Sequence, residues 1–288
     1  MGSVALEAEH GVSDKSLGDG APLLAVIVPV YNEAATIEES LRRVLDAVPV
    51  EKQVVVVDDG STDGTWERVC RGKDRGLVEV VRHDQNRGKG AAIRTGLELA
   101  RGRFTIIQDA DLEYDPRDYE RLLEPLVTNQ AHVVYGSRYL SAEGRQRGRW
   151  RVLRFGVSLL NVCVRALYHI RLTDEATCYK AFRTADLRVM DLACERFEFC
   201  PEVTAKACRM GLRILEVPIG YDPRTAAAGK KIRWTDGLVA LATLWRWRHW
   251  QAAAKGELPS SKDGFQANRE GPRIGHQNER RQTCCPVP

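Results

Sequence analysis

The sequence predicts an α/β fold, with a mostly parallel central sheet covered by helices on both faces. Short apolar runs alternate with segments of helical periodicity over the first half of the chain. The runs are continuously apolar, as in strands that are buried on both faces. At 288 residues and 43% hydrophobic content, the chain can enclose one full-sized core.

The predicted elements follow one another in a regular order. Strands are predicted at 23–30, 53–57, 78–81 and 104–108, separated by helices whose apolar faces begin near positions 37, 65 and 90. Because strand-helix-strand connections are right-handed and return to a parallel neighbour, these strands belong to one sheet. Ligands bind beyond the carboxyl ends of such strands, so the residues that follow each strand are the candidate site.

Composition divides the chain into a folded part and two tails. Residues 22–232 are predicted to form the main domain and residues 233–252 a C-terminal amphipathic helix rich in Trp and Arg. Residues 1–21 and 253–288 are polar and lack periodicity, which predicts disordered tails.

Charge, cysteine content and hydropathy exclude several classes of protein. A net charge of +4 from 43 basic and 39 acidic residues is too small for a general nucleic-acid binder, so no nucleic-acid partner is expected. The eight cysteines form no CxxC unit, which favours reduced thiols and a cytoplasmic location. The longest apolar stretches are shorter than the roughly 20 residues that span a bilayer.

Polar side chains follow the first two strands. Pro29 is expected to end the first strand, and Tyr31 offers a ring face to a base. Asn32 and Glu33 are expected to make polar contacts or to cap the next helix. Asp58 and Asp59 follow the second strand, and because unpaired buried charge is costly, both are expected to face the cleft. An ordinary turn with a helix cap is the alternative interpretation of each segment.

A flexible basic turn at 86–90 follows the third strand and precedes a helix. It contains Lys89, and a basic turn at a helix start suits a diphosphate. The turn lacks the third glycine of a dinucleotide fingerprint and follows the wrong strand for one. The sequence contains no GxxxxGK[ST] phosphate loop, which disfavours ATP or GTP hydrolysis.

Three carboxylates follow the fourth strand. In an extended chain the period of two brings Asp109, Asp111 and Glu113 to the same side. Carboxylates this close repel one another unless a cation joins them, and Mg²⁺ or Mn²⁺ prefers oxygen ligands. The segment therefore predicts a divalent metal site, with a solvated acidic turn as the alternative.

The segments 29–33, 57–61, 86–89 and 109–112 read PVYNE, VDDGS, NRGK and DADL. In this order and spacing the sequence resembles glycosyltransferase family 2, most closely its dolichyl- and polyprenyl-phosphate mannosyl- and glucosyltransferases, over about residues 22–250. The resemblance implies the nucleotide-diphospho-sugar transferase (GT-A) fold. It also implies that Pro29, Tyr31, Glu33 and Asp58 or Asp59 contact the nucleotide, and that Asp109, Asp111 and Glu113 serve the metal. The family often has Gln at the last position.

Later segments fit the same resemblance. Arg138 follows another apolar run, where it could neutralise phosphate. Segments 173–180 and 197–202 resemble the family's acceptor-side region, and 221–231 resembles its late basic loop. Arg224 and Lys230 of that loop are thus expected at the diphosphate or at a lipid phosphate. For each isolated Arg or Lys, a solvated surface charge is the alternative.

The resemblance implies an inverting, metal-dependent hexosyltransferase that uses a GDP-mannose or UDP-glucose type of donor and a polyprenyl phosphate acceptor. A phosphate oxygen is already anionic, whereas a hydroxyl acceptor would need a base such as Glu202 or one of Asp109 and Asp111. The alternatives are transfer to a sugar or protein hydroxyl, a sugar-1-phosphate nucleotidyltransferase and a non-catalytic nucleotide-binding module. The sequence leaves the oligomeric state open.

Two segments interleave arginine with tryptophan. Residues 145–154 and 233–250 carry this pattern, which suits the headgroup region of an anionic membrane. Peripheral contact with the cytoplasmic face of a membrane is therefore expected. A helix packed on the core with a charged outer face is the alternative.

Overall fold

The computed structural model describes residues 21–140, 151–224 and 234–252. Among these residues the sheet has seven strands, in the order β3-β2-β1-β4-β6-β5-β7. The pairs that join β1 to β2, β1 to β4, β2 to β3 and β5 to β7 are parallel, and β6 is antiparallel to both of its neighbours. The strands are β1 Leu24–Val30, β2 Lys52–Asp58, β3 Glu79–Arg82, β4 Phe104–Ile107, β5 Val133–Ser137, β6 Lys180–Arg183 and β7 Ile214–Pro218. The predicted fold class, a mostly parallel α/β sheet, is confirmed.

Eight α-helices connect or follow these strands in the described part of the chain. Short 3-10 helices at Pro116–Asp118 and Trp247–His249 adjoin two of them. The helices are α1 Ile37–Asp46, α2 Thr65–Asp74, α3 Lys89–Leu99, α4 Tyr119–Val127, α5 Arg151–Tyr168, α6 Thr184–Val189, α7 Phe199–Arg209 and α8 Trp234–Arg246.

The alternation of side chains along β1 divides the core between the two faces of the sheet. Leu24 and Val26 belong to the cluster that includes residues of α1 and α4. Ala25 and Ile27 belong to the other cluster, which includes residues of α3 and α7. All four are fully buried, as expected of a central strand covered on both faces.

Two local predictions needed correction. The apolar positions predict the second helix from about Thr65 to Cys70, whereas helix α2 continues to Asp74. The prediction ended early because the last turn is polar and carries Arg71 and Lys73. Strand β1 continues through Pro29 to Val30, so the prediction that the proline ends the strand is wrong. The Ile27 carbonyl accepts from Gln108 N–H on the β4 side, and the Val30 carbonyl accepts from Asp59 N–H on the β2 side. Backbone groups of successive strand residues face opposite sides, so Pro29 faces the β4 side while Val30 faces β2. The pairing of β1 with β4 ends at Ile27, so the N–H that proline lacks is not needed there.

A third, smaller cluster joins three helices. Leu160 and Val164 of α5 pack with Ala205 of α7 and with Ala240 and Leu244 of α8. The C-terminal helix of the described chain is therefore docked on the domain. Among the residues described above, no helix has the length and apolarity to cross a bilayer. The predicted tails lie outside the described residues, except residue 21.

The close approach of the segment before β4 to β1 can be tested at Gly102. A Cβ at this position would collide with the backbone of Leu24 and Ala25, which cannot give way as a flexible side chain can. We expect Gly102→Ala to lower the free energy of unfolding by about 1–3 kcal/mol, measured by urea denaturation. Gly237→Ala in α8 is the matched control, because a Cβ there meets open space. Equal stability of the two variants would contradict this packing.

Candidate active site

The carboxyl ends of β1, β2 and β4 lie side by side, because β1 pairs with both of the other strands. The segments that the sequence singled out after these strands therefore meet at one edge of the sheet. Many of their polar groups are buried there, and the geometry separates groups that hold the edge together from groups that can meet a ligand.

Asn32 joins the loop after β1 to the loop after β2. Its backbone N–H donates to Ser61 Oγ at 2.9 Å, and its Oδ1 accepts from the Thr62 N–H at 2.8 Å. Its φ of 51° is in the left-handed region, which asparagine tolerates better than most residues. Asn32 thus shapes the loop, while the half-buried Tyr31 lies beside it.

Asp58 lies at the end of β2 and is fully buried. Its Oδ1 accepts from the Ser61 N–H at 3.3 Å, and its Oδ2 lies 3.1 Å from Nε of Arg82. Arg82 and Asp58 are therefore close enough for an ion pair, although Asp58 Oδ2 accepts no hydrogen bond. The Arg82 guanidinium also lies 4.9 Å from the Trp66 ring centroid. The prediction that Asp58 faces the cleft is therefore wrong for this structure, and the carboxylate is compensated by Arg82, which the sequence pattern did not single out.

Asp59 does not face the cleft, so that prediction is wrong. Its side chain accepts from the Arg87 N–H at 2.9 Å and from the Gly88 N–H at 2.7 Å, and the His83 Nδ1 lies 2.7 Å from Oδ1. These partners compensate the buried carboxylate and hold the turn that precedes α3. The function of Asp59 in this structure is to organise that turn.

Backbone carbonyls of a later segment occupy the start of α3. The N–H groups of Gly90 and Ala91 donate to the carbonyls of Arg196 and Glu195 at 2.9 and 3.0 Å. A Cβ at Gly90 would lie 2.9 Å from backbone atoms of Cys194 and Glu195, which explains the glycine. The prediction that this helix start receives a diphosphate is therefore not supported for these two N–H groups.

Lys89, at the first position of α3, forms an ion pair with Asp109 after β4. Burial lowers the pKa of Lys89, but the charge and hydrogen bond of Asp109, together with the charges of Cys178 and Cys200, outweigh it and hold that pKa well above the usual value. The pair fixes the position of Asp109 and leaves a cation at the edge of the sheet. Lys89 lies at this edge of the sheet, and its predicted contact with a diphosphate stays a prediction.

The acidic segment after β4 is a turn and not an extended chain. Strand β4 ends at Ile107, and Leu112 has a φ of 62°. The prediction that alternation brings Asp109, Asp111 and Glu113 together is therefore wrong. Among the described residues, no group of three or more His, Cys, Asp or Glu could hold a metal ion.

Glu113 is bound to the segment after β7. Its Oε2 accepts from the Tyr221 hydroxyl at 2.6 Å, and its Oε1 accepts from the Arg224 N–H at 2.8 Å. The Arg224 guanidinium donates to Glu33 Oε2 at 2.7 Å and to the Asp111 carbonyl at 2.8 Å. Arg224 is thus at the predicted edge, but Glu33 already compensates its charge.

Asp111 has the least compensated carboxylate of the edge. Its Oδ1 accepts from the Glu113 N–H at 3.1 Å, and no ion pair involves it in the part of the chain that the structure describes. Burial, together with the charges of Asp109 and Glu113, raises the pKa of Asp111 to about 7. The carboxylates of Asp109 and Asp111 offer the oxygen ligands that Mg²⁺ or Mn²⁺ prefers. The metal-binding function of Asp109 and Asp111 stays a prediction, and the residues fit it.

Arg138 is engaged by Asp174 and not exposed to a cleft. Its Nε and one Nη donate to the two carboxylate oxygens at 2.7 Å each, and its backbone N–H donates to Asp174 at 3.0 Å. The fully buried Asp174 therefore compensates the guanidinium completely. The prediction that Arg138 neutralises phosphate is not supported; the geometry indicates an anchor for the loop around position 174.

Glu202 is not available as a base. Its carboxylate lies in α7, is 1% exposed, and pairs with Nζ of Lys206 at 2.6 Å. It also accepts from the Ala193 N–H at 2.8 Å. Lys206 in turn donates to the Asp191 carbonyl at 2.7 Å and lies 3.9 Å from the Trp247 ring centroid. The pair joins α7 to the segment after α8, so the prediction of a catalytic Glu202 is wrong for this structure.

Sequence reasoning missed a pair of thiols beside Lys89. Cys178 and Cys200 lie 3.8 Å apart at sulfur. The hydrogen bond with Cys200 and the charge of Lys89 outweigh burial and lower the pKa of Cys178 to about 7. Their spacing of 22 residues resembles no motif, and no sequence signal could have paired them. Lys230 and residues 145–150 lie outside the described residues.

Comparison with known proteins adds independent evidence. A profile described as Glycosyl transferase family 2 matches residues 25–190. An undecaprenyl-phosphate mannosyltransferase of Micrococcus luteus is 34% identical over 231 residues, which cover 77% of this chain and 92% of the relative. An undecaprenyl-phosphate 4-deoxy-4-formamido-L-arabinose transferase of Pseudomonas aeruginosa is 37% identical over 62% of this chain. The match covers 52% of that relative, so the chain spans only about half of its length.

The same architecture occurs in a solved structure. A Mycobacterium tuberculosis glucosyl-3-phosphoglycerate synthase, solved with Mn²⁺, UDP-glucose and phosphoglyceric acid, superposes with a TM-score of 0.59. The superposition covers 81% of both chains at 21% sequence identity. At this identity the likeness shows the fold alone.

The buried pair in α7 allows a test of the correction to Glu202. Glu202→Gln leaves the Lys206 charge without its partner, so we expect the free energy of unfolding to fall by about 3–5 kcal/mol. The double variant Glu202→Leu, Lys206→Met removes both charges and should recover most of that loss. Urea denaturation measures both. If the single variant were as stable as the unchanged protein, the pair would not be the structural anchor described here.

Proposed function

The chain belongs to glycosyltransferase family 2, and on that premise we propose that it transfers a hexose from a nucleotide-diphospho-sugar to a polyprenyl phosphate, with inversion and with a divalent cation. That the chain is a glycosyltransferase with the GT-A fold follows from the family match and the structural likeness. The donor, the acceptor, the cation and the membrane are the proposed parts.

The single observation that carries the acceptor is the relative from Micrococcus luteus, whose name specifies undecaprenyl phosphate and of which the match covers 92%. The Pyrococcus furiosus relative is named a dolichol-phosphate mannosyltransferase, at 29% identity over 72% of this chain and 58% of the relative. Both names specify a long-chain lipid phosphate. GDP-mannose or UDP-glucose types of donor remain the proposed donors.

The chemistry of the edge supports a phosphate acceptor. A hydroxyl acceptor needs a base, but Glu202 is paired with Lys206, Asp109 is paired with Lys89, and Asp111 is the residue that we assign to the cation. A phosphate oxygen is already anionic near neutral pH and needs no such base. Transfer to a hydroxyl is the second candidate, because the superposed Mycobacterium tuberculosis synthase was solved with phosphoglyceric acid.

We propose that Asp109 and Asp111 hold Mg²⁺ or Mn²⁺. When bound, the cation supplies positive charge that stabilises the departing diphosphate. Lys89 keeps Asp109 in place and adds a second positive charge on the same side. The Mycobacterium tuberculosis synthase was solved with Mn²⁺ together with UDP-glucose, which supports the choice of ion.

The nucleotide is proposed to lie over the loops after β1 and β2. Pro29 and Tyr31 are its proposed contacts, and Asp58 would have to exchange Arg82 for the nucleotide in order to join them. Asn32 and Asp59 shape the loops from behind. Arg224 would have to exchange Glu33 for a phosphate oxygen in order to contact the diphosphate. Lys230 stays a proposed diphosphate contact from the sequence resemblance.

The outer face of α5 and α8 is proposed to contact an anionic membrane. It exposes apolar side chains beside Arg246 and Arg248, a composition suited to a lipid headgroup region. Trp247 and Trp250 instead lie near Lys206, so they support the docking of the segment and not its membrane contact. The exposed side chains are Leu159, Val162, Leu238, Val239 and Trp245.

The proposed reaction is tested by product analysis. With Mn²⁺ and a panel of GDP- and UDP-sugars, the protein should produce a lipid-linked sugar from polyprenyl phosphate. Asp111→Asn should lower transfer by at least roughly 100-fold, because a bound cation is worth several kcal/mol of charge stabilisation. Glu120→Gln, an exposed carboxylate of α4, is the matched control and should leave the rate unchanged.

Two outcomes count against the proposal. Sugar transfer to a hydroxyl acceptor, with no lipid-linked product from any donor, would favour the second candidate. Full activity of Asp111→Asn, or activity that EDTA leaves intact, would remove the cation from the mechanism.

Membrane contact is tested by sedimentation with vesicles of anionic phospholipid. Trp245→Glu and Leu238→Glu should each weaken binding roughly tenfold, since burial of such a side chain contributes about 1.5–3 kcal/mol. Leu77→Glu is the control, because Leu77 is 48% exposed but lies outside α5 and α8. Equal weakening by all three substitutions would mean that a general charge effect, and not this face, governs binding.

A further inference from the structure

Cys178 and Cys200 form a buried pair of thiols in contact with the edge of the sheet. Their sulfurs are 3.8 Å apart, and theirs is the one sulfur-sulfur contact in the described part of the chain. Cys178 precedes β6 and is half-buried, whereas Cys200, in the first turn of α7, is 6% exposed. An isolated buried cysteine is usually a small apolar side chain, but two sulfurs in contact can react with one another.

The pair belongs to the same network as the Lys89–Asp109 ion pair. Lys89 interacts with the Cys178 sulfur as well as with Asp109. The Cys200 thiol donates to the Thr177 carbonyl at 3.3 Å, and the Cys178 N–H donates to the Tyr114 hydroxyl at 3.4 Å. A shift of the Cys178 sulfur therefore changes its interaction with Lys89, and a shift of the Cys200 sulfur reaches Lys89 through Cys178.

We propose that Cys178 and Cys200 are a modification site, at which a reversible disulfide forms and lowers sugar transfer by displacing Lys89 and Asp109. A disulfide has a sulfur-sulfur bond of about 2.05 Å, so the sulfurs must approach by about 1.8 Å from their present separation of 3.8 Å. The effect on transfer rests on the proposed function, whereas the disulfide itself rests on the geometry alone.

The oxidant is a small-molecule disulfide, such as oxidised glutathione. The Cys178 thiolate attacks one of its sulfurs and releases the first small thiol, which leaves a mixed disulfide on Cys178. The Cys200 sulfur then attacks the Cys178 sulfur, and the proton of its thiol passes to the departing second small thiolate. The two protein thiols thus lose two electrons and two protons, and the small disulfide gains both. Cys178 is the more exposed sulfur and the one with the lowered pKa, so it is the one that meets the oxidant.

The test uses the full chain, treated with oxidised glutathione, alkylated and digested without reductant. Mass spectrometry should find a peptide that links Cys178 to Cys200, lighter by two hydrogens than its reduced parts. Transfer should fall by roughly 10- to 100-fold, because a misplacement of about 1 Å at a reacting site can cost about 100-fold. Dithiothreitol should restore it.

Matched variants assign the effect. Cys178→Ser should be insensitive to the oxidant, relative to its own untreated rate. Cys200→Ala should stop at the mixed disulfide on Cys178, which mass spectrometry detects as an added small thiol without a Cys178–Cys200 link. Cys163→Ser, which removes a half-buried thiol of α5, should remain as sensitive as the unchanged protein. If either variant of the pair unfolds, the peptide map of the unchanged protein still decides whether the link forms.

The outcomes separate this proposal from the proposed function. Absence of the Cys178–Cys200 link, or a link that leaves transfer unchanged, would overturn the modification site. If the reduced protein transfers no sugar from any donor, the proposed function fails. The peptide map then still decides the disulfide, and Mn²⁺ and UDP binding, measured by thermal shift before and after oxidation, decides its effect on the edge.

Discussion

The cost of burying carboxylates at one edge of a sheet is the constraint on which the rest of the structure depends. Six carboxylates meet there, and polar partners compensate five of them. Glu33 pairs with Arg224, Asp58 with Arg82, and Asp109 with Lys89, whereas Asp59 and Glu113 accept hydrogen bonds from backbone and side-chain donors. Asp111 is the sixth, and a divalent cation would supply the charge that this residue lacks. The same balance that makes the edge stable thus leaves one position suited to a metal.

These partners also connect distant parts of the chain. The Asp59 carboxylate holds the turn before α3, and this turn packs against residues 194–196, which precede α7. Helix α7 then carries both Cys200 and the Glu202–Lys206 pair, which contacts the segment after α8. The two thiols and the segment after α8 are therefore both connected, through α7, to the ion pair between Lys89 and Asp109. This connection is the route by which the proposed disulfide would act on the edge of the sheet.

The sequence predicted the fold well, and it predicted which segments lie at one edge of the sheet, because both depend on local patterns. Continuous apolar runs identified β1, β2, β3 and β4, and the residues after them do meet at one edge. Partners distant in sequence could not be predicted: Arg224 and Glu33 are 191 residues apart, and Arg138 and Asp174 are 36 apart. The left-handed conformation of Leu112, with a φ of 62°, is also not predictable from the sequence, because leucine rarely adopts it. The pattern after β4 therefore predicts an extended chain where the structure has a turn. The Glu202–Lys206 pair is different, since its spacing of four on a helix was visible in the sequence.

The central claim is that Asp109 and Asp111 hold a divalent cation against a diphosphate. Anomalous diffraction from a crystal of the protein grown with Mn²⁺ and UDP or GDP tests this claim most directly. We expect a manganese peak about 2.1 Å from a carboxylate oxygen of Asp109 or Asp111 and in contact with the diphosphate. A nucleotide bound at the edge with manganese elsewhere, or with both carboxylates directed away from it, would contradict the claim.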